Sequence, residues 1–455
     1  MTVEEALKVI DKVLEQDSLN KIQDILFRQC WERRSYQEIA TSYGYEVGYI
    51  RDAGYKLWQL LSKTFGKKVT KNNLHLILKQ HYVTMHEVAQ TSSIFEEWRK
   101  TQEIVPNLLT AERSKASQRQ DWGDAIDVSV FYGRVAEITT LKQWVIQERC
   151  RLIALFGMVG IGKTTLAVRS AEQFQNEFEC VFWRSLRNVP PIENFLTELL
   201  LFLFEQQELN LPKTLENQMS CLMQHLRHHR CLLVLDNVES LFRSNERAGC
   251  YRPGYEAYGQ LLRRLGDEHH QSCVILTSRE KPNGFKVKEG KTSPVRSLYL
   301  SDLQLAAAHK ILEDKGLIET KNKFKKLVEY CAGNPLALKI TATTVQDLFD
   351  GDINIFLEQN TVVFGDMWDV LDQQFNRLSA LEKQVMYLLA NNRKWVKLAE
   401  LQEYILPTVS RRNLLEALES LQQRSVIKRN LTSFTQQPII MDYMTQRELL
   451  KGKTF

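Results

Sequence analysis

Long apolar runs are missing from this 455-residue sequence. The densest one, residues 192–204, is interrupted by Glu193 and Glu198, whereas a membrane-spanning helix needs about 20 predominantly apolar residues. The first five residues show neither a basic flank nor an apolar signal-peptide core. These absences argue against a membrane partner, and we expect a cytoplasmic location.

Paired cysteines and a strong net charge are also lacking. The eight cysteines have no paired spacing, so we expect reduced thiols rather than disulfide bonds. A net charge of +5 is small for this length and does not by itself predict a nucleic-acid partner. Cys221, His225, His228 and His229 stand without a second ligand cluster, which indicates a solvated helix face rather than a metal site.

The composition that remains is that of a globular protein. Apolar residues make up 44% and charged residues 25% of the chain, and the length suits about three ordinary domains. Changes in pattern along the chain predict a helix-turn-helix-like domain at 1–90, a linker at 91–127, an α/β domain at 128–300, a helical domain at 301–365 and a winged-helix domain at 366–455.

The N-terminal domain is predicted to be all helical. Residues 2–5 form a capping box ahead of a first amphipathic helix, and residues 35–38 form another that opens a short third helix ended by Gly44. A fourth helix buries apolar residues spaced from Ile50 to Leu61. A short helix, a glycine turn and a longer helix make a helix-turn-helix, and residues 36–61 resemble the DNA-reading half of response regulators and sigma factors.

The outer face of the fourth helix carries a mixed set of side chains: Arg51, Asp52, Tyr55, Lys56 and Gln59. Asp52 would repel phosphate. Two interpretations therefore stay open, a DNA-reading module and a helical module that binds a protein partner, and we favour the protein partner.

The α/β domain shows short apolar runs separated by helical patterns. Five strands are predicted, at 152–156, 180–185, 231–235, 274–277 and 295–300. Apolar strands that alternate with helices indicate a five-stranded parallel sheet covered on both faces.

Helical patterns take over after the last strand. Amphipathic helices at 379–389, 398–405 and 410–421 are followed by Val426-Ile427, a polar turn and Ile439-Ile440. Three helices with a hairpin built on these two apolar pairs predict the winged helix.

The most informative motif is the loop Gly157-Met-Val-Gly-Ile-Gly-Lys163-Thr164-Thr165, which directly follows an apolar strand. Glycines allow main-chain N–H groups to close around phosphates, Lys163 reaches the β- and γ-phosphate oxygens, and Thr164 offers its hydroxyl to Mg²⁺. The dipole of the following helix adds to the attraction. The loop therefore predicts binding of a nucleoside triphosphate with Mg²⁺.

Two further strands end in residues suited to this site. The strand 231–235 delivers Asp236, a carboxylate that would hold Mg²⁺ through water together with Thr164. The strand 274–277 leads into Arg279, a cation placed to sense the γ-phosphate.

Two segments outside the loop complete a known pattern. Phe131-Tyr132-Gly133-Arg134 precedes the loop, and residues 333–337, Gly-Asn-Pro-Leu-Ala, follow the sensor strand. In this order the motifs resemble the NB-ARC family, a branch of the STAND class of signal-transduction ATPases found in apoptosis regulators and plant disease-resistance proteins. The resemblance covers roughly residues 128–450.

The resemblance implies that the segment before the loop lies against the adenine and that Pro335 closes the other side. Together with the loop, it predicts these nucleotide-binding residues: Phe131, Tyr132, Gly133, Arg134, Gly157, Val159, Gly160, Ile161, Gly162, Lys163, Thr164, Thr165, Pro335 and Leu336. The predicted catalytic residues are Asp236, Arg279 and Glu239, and the predicted metal ligands are Thr164 and Asp236.

The sequence departs from the family pattern at two places. Family members carry two acidic residues where this chain has Asp236-Asn237, so we expect weak, slow ATPase activity, with Glu239 as the substitute carboxylate. The family's Met-His-Asp motif near the C-terminus corresponds to Ile440-Met441-Asp442. Because methionine donates no hydrogen bond, we expect Asp442 to support the hairpin rather than the nucleotide.

The preferred functional prediction is a switch that ADP holds closed and that ATP opens for self-association, with output through the N-terminal domain. The alternative is a nucleotide-regulated, DNA-binding transcription regulator. The order of domains is also similar to cyanobacterial multidomain proteins that continue into propeller repeats, and this sequence contains no such repeats. We therefore expect sensing by a partner or by a segment outside this sequence.

Overall fold

The structure is a computed structural model that describes residues 3, 6, 7, 10, 19–32, 34–65, 69–71, 74, 78, 118–204, 212–318, 320–359, 363, 365–405 and 409–451. The chain divides into two units, Met1–Ser114 and Lys115–Phe455. Within the described ranges, no helix combines the length and the hydropathy needed to cross a membrane.

The first unit contains the helices Lys21–Trp31, Tyr36–Tyr43 and Val47–Phe65. The predicted capping box at Ser35 is confirmed, because its Oγ accepts from the Glu38 N–H at 3.2 Å and Glu38 Oε2 accepts from the Ser35 N–H at 2.6 Å. Gly44 ends that helix in the left-handed region. The capping box predicted at residues 2–5 lies outside the described residues.

A hydrogen bond fastens the third of these helices to the second. Trp58 Nε1 donates to Tyr36 Oη at 2.7 Å, and a Cβ at Gly54 would lie 2.9 Å from the same hydroxyl oxygen. The glycine therefore allows the tyrosine to approach. Ile50, Leu57 and Leu61 are fully buried beneath this contact, as the helical spacing predicts.

The second unit is built on a parallel sheet whose strand order is β1-β3-β4-β5-β2-β6. The strands are β1 Arg119–Asp121, β2 Leu152–Phe156, β3 Cys180–Ser185, β4 Cys231–Asp236, β5 Cys273–Ser278 and β6 Val295–Tyr299. The prediction of five strands is wrong by one, since β1 falls in the predicted linker. This three-residue, polar strand has no apolar pattern and pairs through its main chain with β3, Arg119 opposite Cys180.

Helices cover both faces of the sheet. Leu152, Ala154 and Phe156 face one buried cluster, and Ile153 and Leu155 face the other. A strand buried on both sides reads as a continuous apolar run, which is why β2 shows no alternation. The covering helices include Val135–Lys142, Lys163–Phe174, Ile192–Leu203, Leu215–His228 and Glu256–Asp267.

The register brings the carboxyl ends of the central strands to one edge. Ser185 lies opposite Asp236, and Phe156 lies opposite Ser278. In parallel sheets this edge is where ligands bind.

Helices dominate the rest of the second unit. They are Leu305–Asp314, Lys321–Tyr330, Pro335–Phe349, Ile353–Glu358, Gly365–Asn376, Ala380–Asn392, Leu398–Ile405, Arg411–Gln423 and Pro438–Lys451, with the short strands β7 Val396–Lys397, β8 Lys428–Asn430 and β9 Ser433–Thr435 among them. One apolar core runs from Met158 and Val159 of the phosphate loop through these helices.

The hairpin is displaced from its predicted place. β8 and β9 pair between the two apolar pairs, while Ile439 and Ile440 lie in the helix Pro438–Lys451. Proline is favoured at the start of a helix, and the two isoleucines are buried there. The apolar pairs thus mark buried positions that flank the hairpin. The three predicted helices are present, and the winged-helix assignment and the domain boundaries stay predictions.

Candidate nucleotide-binding site

The phosphate loop joins β2 to the helix Lys163–Phe174 at the carboxyl edge of the sheet. Gly162 precedes the helix with φ 96° and ψ 27°, a left-handed conformation that glycine adopts without strain. The helix begins directly at Lys163, so its unpaired N–H groups and the positive end of its dipole point into the loop. This arrangement attracts an anion.

Lys163 lies inside the loop with only 8% of its surface exposed. Its Nζ donates to the carbonyl oxygens of Gly157 at 2.9 Å and Met158 at 3.0 Å. Burial lowers the pKa of Lys163 from 10.5 to about 8, although the charges of Glu239 and Asp236 act against this shift. A buried cation bound only by carbonyl oxygens gains by meeting an anionic ligand.

Asp236 is held by two hydroxyl groups at the end of β4. Its Oδ1 accepts from Thr164 Oγ1 at 2.8 Å and from Thr277 Oγ1 at 2.6 Å. Burial raises the pKa of Asp236, and the two hydroxyl hydrogen bonds oppose this. A carboxylate beside a threonine hydroxyl is a donor set that suits Mg²⁺ with water and phosphate oxygens as its other ligands.

Asn237 turns its side chain onto Asp236. Its backbone is left-handed, with φ 59°, a region that asparagine tolerates. Its Nδ2 donates to Asp236 Oδ2 at 2.5 Å, and its N–H donates to Thr277 Oγ1 at 3.1 Å. The amide at the expected water-orienting position is therefore engaged with the carboxylate next to it.

Glu239 and Arg279 pair with each other. Arg279 Nε lies 3.1 Å from Glu239 Oε1, and the Arg279 N–H donates to Glu239 Oε2 at 3.2 Å. Glu239 is buried in the short 3₁₀ helix Val238–Leu241 that follows β4. Two predicted catalytic side chains thus neutralise each other in this conformation.

The segment before the loop contacts it through Arg134. Arg134 Nη2 donates to the Ile161 carbonyl at 3.0 Å, and its Nη1 pairs with Glu137 at 2.7 Å. A Cβ at Gly133 would lie 2.7 Å from the Cβ of Ala307, so this segment also touches the first helix after the sheet. Phe131 packs in the same cluster as Ile161.

The turn at Asn334 docks the helical region onto the loop. Buried Asn334 donates from Nδ2 to the Val159 carbonyl at 2.9 Å, and its Oδ1 accepts from the Leu336 N–H at 3.0 Å as the N-cap of Pro335–Phe349. The Leu336 N–H also lies 3.3 Å from the Gly160 carbonyl. A Cβ at Gly160 would come within 2.6 Å of the Leu336 Cβ.

The remaining predicted binding residues divide by environment. Val159 and Tyr132 pack in one core cluster, Pro335 opens the docked helix, and Thr165 is half-buried in the first turn after the loop. Two residues of the site were missed by the sequence predictions, Thr277 and Asn334. Each had a signal, a polar side chain at the end of an apolar strand and an asparagine before proline.

A cavity of about 190 Å³ adjoins the loop. Its walls come from the loop, from the segment after β6 and from the C-terminal helices and hairpin: Gly157, Met158, Ile161, Tyr299, Leu300, Ser301, Asp302, Gln422, Ser425, Ile427, Lys428 and Gln437. Gln437 is 9% exposed, and its Oε1 has no hydrogen-bond partner among the described residues.

The expected role of Asp442 in supporting the hairpin stays a prediction. Neither Met441 nor Asp442 is among the residues that line the cavity, whereas Gln437 is. Burial raises the pKa of Asp442, and the charge of Arg393 opposes this shift. Burial also raises the pKa of Tyr330, and the charge of Asp442 adds to that shift. Asp442 lies on the helix Pro438–Lys451, which follows the hairpin.

Comparison with known proteins gives two matching families. Residues 134–315 match the NB-ARC domain, and residues 1–81 match the vWA-MoxR associated protein N-terminal HTH.

Relatives share long stretches of the chain. An uncharacterized WD repeat-containing protein of Nostoc sp. is 48% identical over 344 residues, which cover 73% of this chain and 27% of the relative. A probable disease resistance protein of Arabidopsis thaliana is 28% identical over 298 residues, which cover 63% of this chain and 15% of the relative. The chain thus spans about a quarter or less of the length of these relatives.

Among solved structures, the chain is similar to a Signal Transduction ATPase with Numerous Domains (STAND) protein with a tetratricopeptide repeat sensor from Pyrococcus horikoshii. The TM-score is 0.39 at 18% identity, over 73% of this chain and 47% of that one. It is also similar to a Walker-type ATPase of Pyrococcus abyssi, with a TM-score of 0.47 at 16% identity over 69% of this chain and 96% of that one.

Proposed function

Since the chain contains an NB-ARC domain of the STAND class behind an N-terminal helix-turn-helix domain, we propose that it is a nucleotide-dependent signalling switch. It binds ADP or ATP with Mg²⁺ in the loop between β2 and the helix Lys163–Phe174. The observation that carries this proposal is the buried Lys163 at the start of that helix, beside the pair of Thr164 and Asp236. Lys163 thus combines burial with a helix N-terminus and with a carboxylate and hydroxyl pair suited to Mg²⁺.

The two nucleotides differ by a γ-phosphate, and Arg279 is the group that distinguishes them. In the present conformation Glu239 neutralises Arg279, and Asn334 and Leu336 hold the helical region on the loop. A γ-phosphate competes with Glu239 for Arg279, and only such a differential interaction shifts an equilibrium between states. ADP therefore favours the docked arrangement, and ATP favours an open one that self-associates.

Hydrolysis in this switch is slow. Asn237 supplies an amide where a carboxylate would orient water, and Glu239 is occupied by Arg279. The turnover number should fall below the ordinary enzyme range of about 1–1,000 per second. The protein then works as a timer whose state lasts as long as its nucleotide.

The test is the size of the full chain in each nucleotide state. We expect a monomer with MgADP and a larger assembly with MgATP by size-exclusion chromatography with light scattering. Lys163→Ala is the control, since the loss of more than one charge-assisted hydrogen bond to phosphate, each contributing about 1.5–3 kcal/mol, should leave it unresponsive to both nucleotides. Identical profiles of the parent protein with ADP and ATP would contradict the switch.

Output passes through the N-terminal unit to a protein partner. Tyr49 and Tyr55 are 53% and 64% exposed on the helix Val47–Phe65, beside Arg51, Asp52 and Lys56. Exposed tyrosines with a rim of mixed charge suit a protein interface, whereas Asp52 weakens attraction to a phosphate backbone. The matching family, named for vWA-MoxR associated proteins, also favours an output among proteins.

The alternative output, DNA binding under nucleotide control, is favoured by the helix-turn-helix match over residues 1–81. It requires Arg51, Tyr55, Lys56 and Gln59 to enter the major groove. A mobility-shift assay of the full chain, with the double substitution Arg51→Ala and Lys56→Ala, separates the two outputs. We expect weak or absent DNA binding by the parent protein and by the double variant. Saturable, sequence-specific binding by the parent that the two substitutions abolish would instead establish the DNA output.

A further inference from the structure

We propose that Glu280 couples the nucleotide site to the C-terminal helices through a buried ionic clasp, which releases those helices when Arg279 turns to a γ-phosphate. The clasp consists of Glu280 with Arg377 and Arg424. This proposal rests on the switch function proposed above and adds to it the residues that transmit the signal.

The geometry of the clasp places two guanidinium groups on one carboxylate oxygen. Glu280 is 2% exposed, and its Oε1 accepts from Arg377 Nε at 2.8 Å and from Arg424 Nη1 at 2.6 Å. Arg377 directly follows the helix Gly365–Asn376, and Arg424 directly follows Arg411–Gln423. Two helix ends of the C-terminal region therefore converge on a residue that lies two positions beyond β5.

The same two arginines also hold the segment that follows β4. Arg377 Nη2 donates to the Glu239 carbonyl at 3.0 Å and lies 3.4 Å from the Phe242 carbonyl. Arg424 Nη2 donates to the carbonyl of Glu246. The clasp thus contacts both the segment after β4, which carries Glu239, and the segment after β5, which carries Arg279.

The buried carboxylates and guanidinium groups of the clasp neutralise each other only while all of their contacts are in place. Arg424 Nε also lies 3.4 Å from Oε1 of the buried Glu382, so two carboxylates face two guanidinium groups. Removing one partner from such a cluster leaves an uncompensated buried charge, which is strongly destabilising. The contacts are therefore lost together rather than one by one, and such an element has two discrete states.

Arg279 is connected to the clasp through a tight turn. Ser278 Oγ accepts from the Glu280 N–H at 3.1 Å and donates to the Glu280 carbonyl at 2.6 Å. Arg279 lies between these two residues, with its N–H and its Nε both on the Glu239 carboxylate. Turning the Arg279 guanidinium toward a γ-phosphate breaks its Nε bond to Glu239 and leaves only the main-chain N–H bond between the two residues. A shift of the main chain at Arg279 that follows this loss moves Glu239 and Glu280, the acceptors on which Arg377 and Arg424 depend.

The experiment compares variants of the clasp with a variant of a neighbouring ion pair, both of whose residues lie between β5 and β6. In this pair Lys281 Nζ lies 2.5 Å from Glu289 Oε1, and Lys281 directly follows Glu280 in the sequence. E280Q and R377Q break the clasp, and E289Q is the matched control. Because the Arg377 side chain is 18% exposed, R377Q keeps the test available if E280Q fails to fold.

Two measurements on the full chain test the coupling. In a chase of fluorescent ADP, we expect dissociation about tenfold faster from E280Q and R377Q than from the parent, within the range of ordinary coupling between sites. The double variant should be no faster than the faster single variant, because both substitutions release one element. E289Q should stay within about twofold of the parent, as expected for sites that do not share a network.

Hydrogen exchange is the second measurement, and it does not depend on the switch. E280Q and R377Q should lose protection at residues 239–246 and at 411–423 together, and E289Q at neither. If ADP and ATP give the parent protein the same size, the switch fails, and paired loss of protection still supports the clasp. The clasp proposal would be overturned if E280Q and R377Q showed the same ADP dissociation rate and the same hydrogen-exchange protection as E289Q.

Discussion

Nucleotide binding should take up a proton at alkaline pH, because Lys163 is buried in the loop with its pKa lowered to about 8. The charged form of Lys163 is disfavoured in the folded protein by roughly 3 kcal/mol, at about 1.4 kcal/mol per tenfold change in the proton equilibrium. This cost is fully present below about pH 8 and disappears as the pH rises toward the usual lysine value of 10.5.

An anionic phosphate beside the ammonium raises the pKa of Lys163 again. At pH 9 the nucleotide-free protein holds about 0.1 proton on Lys163 and the complex holds about one, so each ADP bound should bring in about 0.9 proton. At pH 7 the uptake falls to about 0.1 proton. The ADP dissociation constant should accordingly rise about tenfold between pH 7 and pH 9.

Calorimetry at pH 9 in two buffers of different ionisation enthalpy measures this uptake. The phosphates of ADP do not titrate in this range, which leaves Lys163 as the main source of the signal. Lys163→Arg is the control, since a guanidinium stays protonated and its variant should show no uptake. A parent protein whose binding enthalpy is the same in both buffers, or an arginine variant with undiminished uptake, would refute the reasoning.

Asn237→Asp should increase single-turnover ATP hydrolysis by restoring a carboxylate beside the magnesium site, and it should lower the melting temperature without Mg²⁺, because the amide donates to Asp236 at 2.5 Å and a carboxylate would repel it. Rapid-quench kinetics measure the hydrolysis rate, and melting curves with and without Mg²⁺ measure the change in stability. An unchanged hydrolysis rate would show that Asn237 is not the cause of slow hydrolysis. Asn334→Ala should lower the stability of the protein, because it removes a helix cap worth about 0.5–2 kcal/mol. It should also weaken ADP binding, measured by calorimetry, because it removes the hydrogen bond to the Val159 carbonyl of the loop. The equivalent cap loss away from the loop and the clasp, Thr214→Ala, should lower stability alone, and equal effects of the two substitutions on ADP affinity would show that Asn334 acts only as a cap.

The central sheet was predictable because its strands are buried on both faces. A continuous apolar run ending in a glycine loop or an aspartate leaves little choice of structure, and β2, β3 and the end of β4 lie where the sequence predicts them. Strand β1 was not predictable, since its pairing uses the main chain and its three side chains are polar. The hairpin was misplaced because buried apolar pairs flank it on both sides.

The candidate site was predictable to the level of the motif and no further. The phosphate loop, Asp236 and Arg279 come from short-range patterns, but which groups pair with them depends on long-range packing. Nothing local indicates that Glu239 neutralises Arg279 or that Thr277 shares Asp236 with Thr164. Glu280, Arg377 and Arg424 are far apart in the sequence, and only the folded chain shows that they meet.

The close approach at Gly160 determines how mutations in the loop should be interpreted. At Gly162 no atom lies within 4 Å of an added Cβ, so alanine there suffers only from the positive φ. At Gly160 the added Cβ would collide with the Leu336 Cβ at 2.6 Å and with Asn334 Oδ1 at 2.9 Å. A second-site substitution in one of these residues still leaves the other in the way, so a genetic screen should recover almost no single-site suppressors of Gly160→Ala. The loop can therefore change at this position only if the turn that caps the docked helix changes with it.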